Sequence, residues 1–423
     1  MFQTMRNAWK VADLRKKILF TLLIVLLYRL GNAVPVPYVD LDLLNSYFSG
    51  HLQNTVLDLL NVMSGGALSN ATIFALSIQP YINASIIIQL LCIAIPALER
   101  MSKEEGEEGK KKIASITRYT TVVIGLIQGF AYYMLIKSYN VLTDDGIWAA
   151  IVIILTFTSG SALIMWLGEQ ITEFGVGNGI SIILFASIIS RFPTDLINMI
   201  SGVIAKPNTW WITLLMLLGA LAMIVLIVFI NDSERRIPVQ YAKRVVGRKM
   251  YGGQSTHLPM KVNMSGVLPI IFAQSIASLP ATFAAFTGHS DSVWASTTSV
   301  VYAIIYFLLI IFFAYFYSTI QFNPIEVANN LKKNGGYIPG FRPGKPTSEF
   351  IKRVLNKITL FGAIYLGIIA VVPILVACFS ETAANSGVSL GGTSIIIVVG
   401  VAIETVRALE AQLLMRNYKG FLE

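Results

Sequence analysis

Apolar runs of near-helical span length recur along the whole chain, separated by shorter polar or basic stretches. A helix needs about 20 such residues to cross the hydrocarbon layer of a bilayer. The pattern predicts ten spans, near residues 18–36, 76–97, 117–137, 147–167, 174–191, 211–231, 264–286, 299–320, 357–379 and 393–411. The fifth is the least regular, with a short apolar core (180–190) that starts among glycines. One stretch departs from the pattern. Residues 57–63 are apolar but too few to cross, Ser64-Gly65-Gly66 follows them, and a second run is entered through Pro80. A half-helix, a glycine hinge and then a full span describe a chain that dips into a membrane and returns. Such backbone survives at membrane depth only where protein buries it or it borders a watery cavity. The stretch 57–91 therefore predicts a pore with something in it.

Composition agrees: of 423 residues, 55% are hydrophobic and 13% charged, against roughly 25% charged in soluble domains. The expected fold class is an all-α polytopic membrane protein with ten transmembrane helices. With loops assigned alternately to two sides, 28 of the 32 Lys and Arg fall on one side. Five precede the first span, six lie from Arg100 to Arg118, seven lie in each of the loops 232–263 and 321–357, and three follow from Arg407. The other side holds Lys137, Arg191 and Lys206, and Arg29 lies within the first span. The asymmetry predicts that both termini are cytoplasmic.

The first 17 residues read as a basic amphipathic helix at the membrane surface. The first span is longer than a signal-peptide core and lacks an A-x-A site, so it reads as retained. Residues 33–75 contain no Lys or Arg, which fits a segment folded back into the membrane better than a solvated loop. The mixed charges of residues 100–112 read as a solvated loop. Cys92 and Cys378 lie in apolar runs and read as small buried hydrophobes.

Ten spans divide into five and five, residues 1–200 and 201–423. An odd number per half makes any repeat inverted. Pro80-Tyr81-Ile82-Asn83-Ala84 parallels Pro269-Ile270-Ile271-Phe272-Ala273, each in the second span of its half. Two basic-side loops are long. In 232–263, Ile237, Val239 and Tyr241 alternate with polar or proline residues, as do Leu258, Met260 and Val262, around a glycine-bearing tip. This predicts a projecting β-hairpin. In 321–357, an amphipathic piece (325–333) leads into GGYIPGFRPG, a glycine- and proline-dense turn around Arg342. The charges serve topology alone or dock an acidic partner; both remain open on pattern alone.

The spans hold almost no ionisable groups. Glu169, Glu173 and Glu404 lie near span ends, and His51, His257 and His289 lie in loops. A proton- or sodium-coupled carrier needs carboxylates near the midplane. A membrane protease needs paired aspartates, a zinc motif or a Ser/His pair, and a nucleotide-driven pump needs a phosphate loop. None of these patterns is evident, so the chain reads as no enzyme, with no cofactor or metal, driven from outside itself. At depth remain amides, Asn83, Gln89, Gln128 and Gln274, suited to interhelical packing or to a gate.

Several long motifs carry a resemblance: MSGGALSNATIFALSIQPYINASIIIQLL (63–91), GVGNGISIILFAS (175–187), ERRIPVQYAKR (234–244), MKVNMSGVLPIIFAQS (260–275), GGYIPGFRPGKPT (335–347) and GGTSIIIVV (391–399). Over essentially its whole length the chain resembles the SecY family, channel subunits of the bacterial protein translocon. The resemblance implies two inverted five-helix halves around a central hourglass pore. It implies a pore ring of Ile82, Ile86, Leu184, Ile188, Ile271 and Ile397, where members often carry isoleucine throughout, so Leu184 departs mildly. It implies a plug at 57–69, with Leu57, Leu59, Leu60, Met63, Ser64, Gly65 and Gly66, and a lateral gate of spans 2, 3, 7 and 8 that includes Asn83, Gln89 and Gln274. It further implies docking of the motor ATPase SecA or a ribosome on Arg342, Arg235, Arg236, Lys243 and Arg244. The small subunits SecE and SecG, preproteins with signal sequences, membrane lipids and a plasma-membrane location complete the expectation. A small-solute secondary transporter is the alternative that ten inverted spans would allow, and a pore-less docking platform a third reading.

Overall fold

The computed structural model describes the chain except residues 1, 51–55, 104–105, 206–209, 242–243, 247–248, 252–254, 265, 287–298, 380–387 and 420–423. Each of the ten predicted spans falls on a helix: α2 (Ala12–Gly31), α5 (Gln79–Ala94), α7 (Gly106–Ser138), α8 (Ile147–Phe174), α9 (Gly179–Ala205), α10 (Trp210–Asp232), α11 (Leu268–Phe286), α12 (Val300–Gln321), α14 (Lys345–Phe379) and α15 (Val388–Lys419). Between them lie α1 (Phe2–Lys10), α3 (Leu41–Gly50), α4 (Val56–Met63), α6 (Pro96–Lys103) and α13 (Pro324–Lys333). Six helices are long and apolar enough to cross a membrane by length and composition, among the described residues. The apolar stretches Gln79–Ala94, Gly179–Thr194 and Leu268–Pro280 are shorter. These three lie on α5, α9 and α11, which pack in the centre of the bundle. A helix sheathed by protein rather than lipid does not need a full-length apolar surface. On α10 the opposite holds: only 6% of its apolar window is buried, the surface of a helix that faces lipid.

The amino-terminal expectation needs correcting. The first 17 residues form two helices that part at Val11, and Arg15, Lys16 and Lys17 lie on α2. α1 packs one face against the body of the protein. Its Ala8 is fully buried in a small cluster with Leu14, Val176 and Leu409, and Thr4 Oγ1 donates to Glu410 Oε1 of α15 at 2.9 Å.

The irregular start of the fifth span is a packing device. Gly175, Gly177 (φ +70°) and Gly179 turn the chain sharply from α8 into α9, and a Cβ on Gly179 would stand 1.9 Å from the Gly168 carbonyl oxygen. Gly160 on α8 meets a similar restriction, because its Cβ would fall 1.9 Å from the Ile73 carbonyl oxygen. Gly160→Ala is therefore expected to destabilise the protein by about 1–3 kcal/mol through overpacking. Gly219→Ala on α10, where nothing lies within 4 Å, is expected to raise stability slightly, by up to about 1 kcal/mol. Thermal unfolding in detergent compares the two.

The predicted hairpin is present. Strand β1 (Glu234–Tyr241) pairs antiparallel with β4 (Ser255–Lys261), from Glu234↔Lys261 to Gln240↔Ser255, with Ile237 and Val239 buried as alternation required. The shorter strands β2 (Arg244–Val246) and β3 (Lys249–Tyr251) form a second antiparallel pair between them. Its loop positions 247–248 lie outside the described residues. The second basic loop joins the same sheet: β5 (Gly336–Tyr337) pairs with β1 through Gln240↔Tyr337 and Tyr241↔Gly336, and Tyr337 Oη donates to Gln240 Oε1 at 2.9 Å. One small core, with Ile237, Val239, Met260, Leu331, Ile338 and Ile351, binds both loops to the start of α14. The two loops are one structural unit.

Candidate functional site

The half-helix expected at 57–63 is α4, and it ends where the glycines require. Gly65 N donates to the Val62 carbonyl and Gly66 N to the Asn61 carbonyl, at 3.0 and 2.8 Å. Gly65 adopts φ +70° and Gly66 φ +86°. This paired pattern with a left-handed residue is a Schellman cap, which satisfies the last helical carbonyls and favours glycine. The chain returns through Ser64 to Ser69 under local control: Asn61 Oδ1 accepts from Ser69 N at 2.9 Å, and Ser64 Oγ from Leu68 N at 3.2 Å.

α4 reaches from an outer cluster into the central one. Leu57 packs in the outer cluster with Leu68, Ala71, Ala75, Tyr132 and Phe157. Met63 belongs to the central cluster, and Leu60 packs against both. The side chain of Leu59 lies outside the described positions. Polar contacts hold α4 and its return on several sides. Asp58 Oδ1 stands 3.7 Å from Arg191 Nη2 of α9. The Ser64 carbonyl accepts from Tyr28 Oη at 3.3 Å and Asn32 Nδ2 at 3.4 Å, and Tyr28 Oη also meets Ser187 Oγ at 2.7 Å. Met63 Sδ accepts from Gln274 Nε2 at 3.0 Å and Gln79 Nε2 at 3.5 Å. Sequence reasoning missed Tyr28, Asn32, Asp58, Gln79 and Arg191 as members of this site. Asp58 alone carried a signal, as the lone acid in an apolar half-helix on the side where Arg191 is one of three bases.

The six expected ring residues all fall in the large central cluster of buried residues. Ile82 and Ile86 of α5, Leu184 and Ile188 of α9, Ile271 of α11 and Ile397 of α15 are all buried within the cluster that holds Met63. Four helices from both halves of the chain thus contribute to one apolar core, and α4 packs against α9, α11 and α15. An apolar core of branched side chains resists wetting.

The expected gate amides occupy different surroundings. Gln274 is buried, with Oε1 left without a partner. Gln89 donates to Ser85 Oγ at 3.2 Å within α5. Asn83 lines a cavity of about 80 Å³ with Leu57, Gln79, Gln128, Tyr132 and Ser278, between α4, α5, α7 and α11. α11 packs against α5, α7 and α12.

On the basic side, Arg342 is exposed on the turn its glycines and prolines predicted. Gly340 and Gly344 adopt φ +86° and +107°, Thr347 Oγ1 donates to the Arg342 carbonyl at 2.8 Å, and the Phe341 and Phe350 rings lie 4.3 Å apart. Arg235 and Arg236 are exposed on β1, and Arg236 Nε contacts Glu234 Oε1 at 2.7 Å. Arg244 falls on β2 with its side chain outside the described positions, and Lys243 lies outside the described residues.

The family model for SecY matches residues 72–406 of the chain. The chain belongs to the SecY family. The protein translocase subunit SecY of Streptomyces scabiei is 45% identical over 443 residues, covering 100% of both chains. The fold is shared with a structure in which the plug domain of SecY stabilises the closed state of the translocation channel and maintains a membrane seal. That likeness has TM-score 0.67 at 16% identity, over 94% of this chain and 92% of the other. It is shared too with Sec61 in the canine ribosome–channel complex, with TM-score 0.64 at 15% identity over 94% and 92% of the two chains. As a SecY-family protein the chain is a multi-pass membrane channel subunit for protein translocation, and not a small-solute transporter.

Proposed function

We propose that the chain is a passive channel through which unfolded polypeptides cross the bacterial plasma membrane and transmembrane segments enter it sideways. The two halves, 1–200 and 201–423, are inverted copies in this reading and meet at the ring of Ile82, Ile86, Leu184, Ile188, Ile271 and Ile397. The burial of these six branched side chains in the one central cluster that also holds Met63, at the tip of α4, is the observation that supports it. Residues 57–69 are the plug. Spans 2, 3, 7 and 8 open as the lateral gate to lipid. Both termini and the basic loops are cytoplasmic, following the charge asymmetry. The chain is not a catalyst and has no energy source of its own. Its driving force comes from SecA or a translating ribosome docked on the unit that carries Arg342, Arg235 and Arg236, with SecE and SecG as small subunits. Signal-sequence-bearing preproteins are the cargo.

A cysteine at Ile86 or Ile271 tests the ring. Each is expected to form a disulfide with a cysteine placed in a secretory chain stalled half-way, while a cysteine at the lipid-facing Leu221 on α10 forms none. Absence of adducts at both ring positions would overturn the assignment, since a docking platform without a pore predicts that result.

A further inference from the structure

We propose that Tyr302, Tyr306 and the proline break of α14 form a buried water site that joins three helices, α12, α14 and α15. Tyr302 and Tyr306 lie one turn apart on α12, with ring centroids 5.9 Å apart and residues only 6% and 1% exposed. Neither hydroxyl has a protein partner with hydrogen-bond geometry. Leaving a buried hydroxyl unsatisfied costs free energy, so such groups are nearly always paired with protein or with ordered water.

An acceptor without its usual donor lies at the same level. Pro373 stands inside α14. Proline has no N–H, so the carbonyl four residues earlier, that of Ile369, loses its helical donor. Two contacts give the register of α12 along α14. Ser318 Oγ and Thr359 Oγ1 are 2.9 Å apart, and a Cβ on Gly367 would stand 2.6 Å from the Phe307 ring. The helices therefore run antiparallel, and the same register continued sets Tyr306 at the level of Ile369 and Tyr302 at that of Pro373.

The third helix closes the site. Tyr306 is directed at the Thr393 side chain of α15, itself buried. The preceding residue, Gly392, packs on the break: a Cβ there would stand 2.5 Å from Pro373 Cγ and 3.2 Å from the Ile369 carbonyl oxygen. Two hydroxyls of α12, a carbonyl of α14 and a hydroxyl of α15 thus surround one polar spot in an apolar core. Water is held in a protein interior by about two to four polar partners. It is also one means by which membrane helices satisfy a carbonyl freed by proline. Here it accepts from a tyrosine hydroxyl and donates to the Ile369 carbonyl. Thr393 precedes Ile397 by four residues, so the site borders the helix that brings this expected ring residue into the core.

The assembled channel in detergent supplies the test. If the Tyr306 hydroxyl were dry, Tyr306→Phe would remove an unsatisfied group and leave the melting temperature unchanged or higher. With water bridging it to Ile369, the same change is expected to lower the melting temperature by about 1–2 °C. Pro373→Ala returns an N–H to the Ile369 carbonyl, so the loss from Tyr306→Phe is expected to shrink in that background. An undiminished loss there would overturn the Ile369 assignment. Ultraviolet resonance Raman reads the hydroxyl directly, in the difference between the parent and Tyr306→Phe, and does not depend on whether Pro373→Ala assembles. The tyrosine doublet of a hydrogen-bonded hydroxyl is expected, and it persists in Thr393→Val because the water keeps its carbonyl. A doublet without hydrogen bonding, or an unchanged or raised melting temperature for Tyr306→Phe, overturns the site. Loss of the bonded doublet in Thr393→Val overturns it too, in favour of a direct bond between Tyr306 and Thr393.

Discussion

Deleting residues 57–67 is expected to raise the ion conductance of the resting channel by roughly tenfold or more in planar bilayers. The reason lies in what the deletion leaves behind. With α4 in place, Leu57 fills the outer cluster and Met63 the central one. Without them the outer face of the ring borders a space lined by groups that had been paired with the plug: Tyr28, Asn32, Gln79, Arg191 and Gln274. Water enters such a polar vestibule readily. Only the single apolar ring then resists ion passage, and a thin dewetted constriction is a weaker barrier than a filled one. Conductance equal to the parent's would remove the plug assignment. Asp58→Asn should give a smaller leak than the deletion, since it weakens one ion pair at 3.7 Å and leaves the packing intact.

Arg342→Glu is expected to abolish motor-driven export while the channel still assembles. The residue is exposed, so reversing its charge changes folding stability by no more than about 0.5 kcal/mol. Its turn does not depend on the side chain: the backbone is set by Gly340, Gly344 and the Thr347 hydroxyl, and the base by the Phe341–Phe350 contact. A rigid mount is what a docking charge needs, because little ordering cost then falls on binding. Replacing one partner of an interfacial hydrogen-bonded charge pair costs about 2–5 kcal/mol, enough to lose the complex at working concentrations. Export of a precursor into vesicles with motor and ATP reads the effect, and co-purification of the small subunits reads assembly. Normal export would show that Arg342 is not the docking point. Arg235→Glu should have a milder effect, since charge near a contact mainly changes the rate of encounter.

The two basic loops are rigidly coupled. Arg342 lies beyond β5, which pairs with the strand that carries Arg235 and Arg236. The same small core includes Leu355 of α14, a membrane-crossing helix. A partner docked at Arg342, as proposed, would thus be joined to a helix of the second half through packed side chains rather than through a slack loop.

Much of this was legible along the chain because its determinants are local. Apolar runs long enough to cross a membrane, the short run at 57–63 with its Gly65-Gly66 stop, the alternation of Ile237 and Val239 and the turn around Arg342 are all properties of neighbours in sequence. They reappear as helices, a Schellman cap, a hairpin and a fixed exposed turn. Positions of the ring residues came from resemblance to a family, since nothing in the spacing of a single isoleucine marks it as pore-lining rather than lipid-facing. Local pattern also misled at the amino terminus. Its basic residues read as one surface helix, whereas the chain breaks at Val11 into α1 and α2, with Ala8 and Leu409 buried in one cluster.

By itself the sequence determined that this is a multi-span membrane protein with a broken half-helix on its poorly charged side and two organised loops on its basic side. Hydrophobic length, period and charge placement are enough for that, because bilayer and backbone impose them residue by residue. Only the tertiary structure decided which partners those elements find. Gln240 meets Tyr337, Asp58 meets Arg191, and Met63 lies between Gln79 and Gln274. Side chains so far apart in sequence share no local pattern, and the choice among many polar partners is made by the packing that brings the helices together.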